Sequence, residues 1–104
     1  MRLRSPTSFT ATLRRGRCRS GAFVRCHFSP QGERSALLGI VAARGVGPAT
    51  VRNRLKRVIR HCFHARRASL AAGAWVVVLL PAARGATRKQ LREELTRMFQ
   101  SARR

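Results

Sequence analysis

Six apolar residues, Val51, Leu55, Val58, Ile59, Cys62 and Phe63, fall at i, i+4, i+7, i+8, i+11 and i+12. This is the stripe of an amphipathic α-helix, in which residues three and four apart share a face. At about 100° per residue, Arg52, Asn53, Lys56, Arg57, Arg60, His64 and Arg67 gather on the opposite side, and Arg54 flanks the stripe. No acid interrupts the segment from Val51 to Arg67. An ordinary solvated helix face mixes charges of both signs. A face of one sign predicts contact with a polyanion. Guanidinium groups fork onto phosphate oxygens in pairs of bonds, and Asn53 adds a donor and an acceptor suited to a 2′-hydroxyl or a base edge. The pattern alone does not separate RNA from DNA.

The flanking sequence supplies the elements that would cover the apolar side. Ser5-Pro6 is a helix start and Gly16 a stop, with Phe9 and Leu13 four apart on one face. From Ala22 to Phe28 the period changes to two, which predicts a strand with Val24, Cys26 and Phe28 on one side and Phe23, Arg25 and His27 on the other. Ser29-Pro30-Gln31-Gly32 reads as a turn. Ala36 to Ala43 predicts a second, more buried strand, broken by Gly45-Val46-Gly47-Pro48. Trp75 to Leu80 is a β-branched run ended by Pro81, hence another buried strand. Thr87 and Gln90 have capping-box spacing ahead of a last helix with Leu91, Leu95, Met98, Phe99 and Ala102 as its apolar positions. The order predicts an α+β sandwich with helices covering a sheet. At 104 residues the chain, 1–104, reads as a single domain.

Charge narrows the chemistry further. The 23 Lys and Arg face only three acids, Glu33, Glu93 and Glu94, for a formal charge of +20. A body this cationic repels itself until a polyanion neutralises it. The carboxylates are too few to hold the paired Mg²⁺ ions of a protein nuclease or to form a glycosidase pair. Cys18, Cys26 and Cys62 are odd in number and contain no C-x-x-C pair, so neither a disulfide framework nor a zinc finger is expected, and they read as small buried thiols. The uncharged stretch from Ala68 to Ala83 is too short to span a bilayer and contains Gly73 and Pro81. The Arg-rich, acid-free N-terminus also has the composition of an organellar transit peptide.

Val51-Arg52-Asn53-Arg54-Leu55-Lys56-Arg57 closely resembles the R-N-R-x-K-R signature helix of the bacterial ribonuclease P protein component family. Gly39-Ile40-Val41 and Val46-Gly47-Pro48-Ala49 resemble the strand and loop that lead into it. Arg2-Leu3 through Phe9 to Gly16 resembles the family's first helix, so the similarity covers roughly residues 2 to 100. The resemblance implies an α-β-β-β-α-β-α fold with a left-handed β-α-β crossover and a short extra strand near Arg17 to Arg19. It also implies a subunit of a ribozyme, ribonuclease P, that removes the 5′ leader of precursor tRNA in the cytoplasm. In that family the RNA carries the Mg²⁺-dependent hydrolysis and the protein has no catalytic residue.

Carried onto this chain, the resemblance assigns contact with the catalytic RNA to Arg52, Asn53, Arg54, Lys56, Arg57 and Arg60, and a leader cleft to Phe9, Leu13 and Cys26. Leu13 and Cys26 stand where relatives often carry aromatics, and Arg44-Gly45 stands where a Lys-Lys pair is common. The expected partners are ribonuclease P RNA and precursor tRNA, with Mg²⁺ bound mainly by the RNA, no membrane, and no protein partner implied. A structural RNA-binder of ribosomal type would share the composition. A ribonuclease using His61 and His64 as acid and base would need a pocket enclosing both.

Overall fold

A computed structural model describes residues 17–30, 36–43 and 45–101. They form β1 (Arg17–Ser20), β2 (Val24–Ser29), β3 (Ala36–Ala42), α1 (Ala49–Arg66), β4 (Gly73–Leu79) and α2 (Arg88–Ser101), with short 3₁₀ turns at Arg67–Ser69 and Pro81–Gly85. The predicted first helix, with Phe9 and Leu13, and the turn at Gln31-Gly32 lie outside the described residues.

The four strands form one sheet in the order β1-β2-β4-β3. β2 pairs with both β1 and β4 antiparallel, and β3 pairs with β4 in parallel. Parallel neighbours cannot be joined by a tight turn, so α1 serves as the crossover between β3 and β4. The cross-strand register aligns Leu38 with Trp75, Trp75 with Phe28, and Val77 with Cys26 and Ile40. These residues share one sheet face, and both helices pack onto it. Leu55, Val58, Ile59, Cys62 and Phe63 of α1 and Leu91, Leu95, Met98 and Phe99 of α2 join Val24, Cys26, Trp75, Val77 and Leu79 in one core. Trp75 and Phe99 meet edge to face at 5.6 Å, and Phe63 meets Phe99 at 5.8 Å. The opposite sheet face carries a small second cluster of Ala74 and Val76 with Leu37 and Val78.

The expected strand from Ala22 begins two residues later, because the chain before it forms a turn with Gly21 N–H donating to Val24 O at 2.8 Å. The expected strand from Trp75 begins earlier, at Gly73, and stops at Leu79. Gly73 has a φ of +144°, and a Cβ there would lie 2.6 Å from the Ser29 carbonyl oxygen, so only glycine lets β4 start this close to β2. The thiols also depart from expectation. Cys26 and Cys62 are buried, but Cys18 is exposed, because β1 is an edge strand with all four residues facing solvent.

One acid anchors α2 to the sheet. Glu94 is 3% exposed, and its carboxylate accepts the backbone N–H groups of Ala22, Phe23 and Val24, each at 2.8 Å. The capping box ahead of α2 forms as its spacing predicts: Gln90 N–H donates to Thr87 Oγ1 at 3.1 Å, and Thr87 N–H donates to Gln90 Oε1 at 2.9 Å.

Candidate nucleic-acid interface

Helix α1 starts after Pro48, whose extended φ of −69° and ψ of 171° stop the helix from continuing backwards. No side chain caps it, and its first turn has no acid. The positive end of the helix dipole ordinarily favours carboxylates nearby, by about 0.3–1 kcal/mol each. Here Arg52 and Arg54 follow in the first two turns instead, adding positive charge where the helix already carries it. An anion would relieve both.

The apolar stripe is buried as its period requires, which fixes the orientation of everything else on α1. Arg52, Asn53, Arg54, Arg57 and Arg60 are exposed, and Lys56 is half-buried. His61 and His64 are also exposed.

These groups divide into two sets. Arg52, Lys56 and Arg60 stand at i, i+4 and i+8 and form one outward stripe. Asn53, Arg54 and Arg57 instead line a groove of about 640 Å³ between α1 and α2. His61 and Arg66 of α1 and Arg88, Arg92 and Thr96 of α2 complete its polar walls, and Val58, Cys62 and Ala65 form apolar ground beneath them. Among the described residues no carboxylate lines it. Burial pushes the Cys62 thiol up, while the guanidinium groups of Arg92 and Arg66 pull it partly back, which places charge from both helices over the groove floor. His61 lines the groove and His64 is not among its described lining residues, so this groove does not bring the two together as an acid–base pair.

Cys26 lies elsewhere, 5% exposed on the helix-covered sheet face. It borders a hollow of about 240 Å³ with Arg17, Arg19, Phe28, Trp75 and Met98. Phe28 and Trp75 stand 4.6 Å apart there. Burial, with Cys18 adding, pushes the Cys26 thiol up to about 12, so it is a neutral packing group. His27 points to the other face opposite Cys18, with Nε2 3.9 Å from the thiol sulfur.

Reasoning on the middle helix alone overlooked Arg88 and Arg92. Their i, i+4 spacing, continued by Thr96 at i+8, was a readable signal of a polar stripe on the last helix. What it did not contain was that this stripe faces α1.

A small α+β sheet domain with an acid-free cationic helix face and an arginine-lined groove belongs to the class of strongly basic α+β domains, whose surface is electrostatically complementary to a polyanion. Comparison with known proteins makes the class particular. The family described as Ribonuclease P matches residues 1–103. A ribonuclease P protein component from Acidothermus cellulolyticus is 39% identical over 94% of this chain and 84% of its own length. One from Bordetella parapertussis is 38% identical over 94% of this chain and 88% of its own. The solved ribonuclease P protein of Thermotoga maritima superposes with a TM-score of 0.85 at 26% identity, covering 97% of this chain and 96% of its own. The chain belongs to the ribonuclease P protein component family, and its function is that of the protein subunit of ribonuclease P.

Proposed function

We propose that this chain binds the RNA subunit of ribonuclease P through the cationic face of α1, and that the RNA carries out the Mg²⁺-dependent removal of the 5′ leader from precursor tRNA in the cytoplasm. The observation that carries the reading is the outward stripe of Arg52, Lys56 and Arg60 with its neighbours Asn53, Arg54 and Arg57, on a helix with no acid. The fold spends its buried apolar surface presenting this face outward. Its charge has no partner of opposite sign on the same helix.

The acids support the assignment of chemistry to RNA. Glu94 is committed to three backbone N–H groups, which leaves Glu93 as the other carboxylate among the described residues. Among those residues no three His, Cys, Asp or Glu side chains group as a metal site. Mg²⁺ is read as held mainly by the RNA. No helix among the described residues is long and apolar enough to cross a membrane. The leader is assigned to a cleft that includes Cys26, where Arg17 and Arg19 offer phosphate contacts next to Phe28, together with Phe9 and Leu13 from outside the described residues.

The test is the salt dependence of binding to ribonuclease P RNA from the same genome. Arg52→Ala with Arg54→Ala is expected to weaken binding and to make the slope of log K against log salt shallower by about one to two. An unchanged slope would show that these side chains do not meet phosphate.

A further inference from the structure

The groove between α1 and α2 adds the charge of Arg88 and Arg92 to that of the signature helix. Arg54, Arg57 and Arg66 reach it from one helix, and Arg88 and Arg92 from the other. Five guanidinium groups around one depression, with no carboxylate among its described lining residues, repel one another in the free protein. An anion between the helices removes that repulsion. A single surface lysine or arginine would say little; convergence from two separate elements is harder to obtain without a ligand. The capping box at Thr87 and Gln90 and the buried Glu94 fix α2 on the sheet, and so fix the arginines of α2 opposite those of α1.

The rest of the lining indicates which polyanion. Among its described lining residues the groove has no Phe, Tyr or Trp, and the His61 imidazole is its one ring on which a base could stack. It does offer Thr50, Asn53 and Thr96 as neutral hydrogen-bonding groups. Thr96 donates its hydroxyl hydrogen to the Arg92 carbonyl at 2.8 Å, so the free capacity of its oxygen is for accepting. An acceptor beside cations suits a ribose 2′-hydroxyl next to a phosphate, and not a second phosphate.

We infer that this groove is a second RNA-backbone site, in which Arg88 and Arg92 of α2 and Arg54 and Arg57 of α1 clamp successive phosphates of one strand. The protein would then grip its RNA with two helices. The inference rests on the reading of α1 as RNA-binding and extends it to residues outside the signature motif.

Two paired variants separate the claims: Arg88→Gln with Arg92→Gln in the groove, and Arg52→Gln with Arg60→Gln on the outward stripe. The probe is fluorescently labelled ribonuclease P RNA from the same genome, titrated with the full chain at several salt concentrations. The groove variant is expected to bind roughly tenfold or more weakly, with a salt slope shallower by about one to two. Its thermal midpoint should stay level or rise, because Arg88 and Arg92 are exposed and Arg88 opens a helix whose dipole disfavours cations there. Weaker binding with a lowered midpoint would be settled by Arg88→Lys with Arg92→Lys, which keeps the charge and should restore most of the affinity. If the outward-stripe variant loses affinity and the groove variant keeps both affinity and slope, the groove inference is overturned and the function stands. If neither variant changes binding, the proposed function itself fails.

Discussion

Glu94 Oε2 accepts the backbone N–H of Val24 at 2.8 Å, joining residues 70 positions apart, and the same oxygen takes the N–H of Phe23. The other carboxylate oxygen takes Ala22. A buried acid in so cationic a chain is thus a structural clamp between the last helix and the start of β2. Replacing it leaves buried donors without partners, which costs more than the bonds themselves contribute. Glu94→Gln should destabilise the fold by about 1–3 kcal/mol and Glu94→Ala by more. Urea unfolding of the three proteins checks the order.

Gly21 sits against that clamp. A Cβ there would lie 2.6 Å from Glu94 Oε2 and 2.7 Å from Met98 Cε. Gly21→Ala should therefore cost about 1–3 kcal/mol, the range for overpacking. In a Glu94→Ala background the carboxylate part of the obstruction is gone and Met98 Cε remains, so the same change should cost less. A double-mutant cycle reads the coupling directly.

The three thiols should react in an order set by burial. Cys18 is exposed on the edge strand, whereas the Cys26 thiol is pushed up to about 12 by burial and Cys62 is also pushed up. At pH 8, alkylation followed by mass mapping is expected to modify Cys18 in the native protein, and Cys26 and Cys62 only after unfolding.

Burial, with Arg25 adding, holds His27 below its ordinary value of 6.5. The unfolded chain then binds a proton that the folded chain resists, so the unfolded state holds more protons. Stability is intact above about pH 6.5 and falls as pH drops toward the lowered folded value. His27→Gln should flatten that part of the acid limb, as followed by thermal midpoint against pH.

Local periodicity carried most of the fold. The stripe from Val51 to Phe63, the capping box at Thr87 and Gln90 and the β-branched run after Trp75 are signals within one element; the first two formed where expected, and the third formed a strand with shifted ends. Strand ends were less readable, since β4 can begin at Gly73 because the missing side chain lets its backbone approach the Ser29 carbonyl on the neighbouring strand. Glu94 shows the larger limit. In the sequence it counts only as one of three scarce acids, and its role depends on backbone 70 residues earlier. The groove is a similar case: Arg88 and Arg92 are a visible stripe, but their meeting with Arg54 and Arg57 is a product of how two helices share one sheet face. For the proposed leader cleft, Cys26 is placed, and Phe9 and Leu13 lie outside the described residues.

The central claim is that a cationic helix face serves an RNA that itself breaks the bond. Single-turnover cleavage of precursor tRNA at low Mg²⁺ tests it with RNA alone, protein alone, and both. The account predicts slow cleavage by RNA alone, none by protein alone, and a marked acceleration by both that Arg52→Ala with Arg54→Ala largely removes. Cleavage by the protein without RNA, or an unchanged rate when protein joins the RNA, would contradict it.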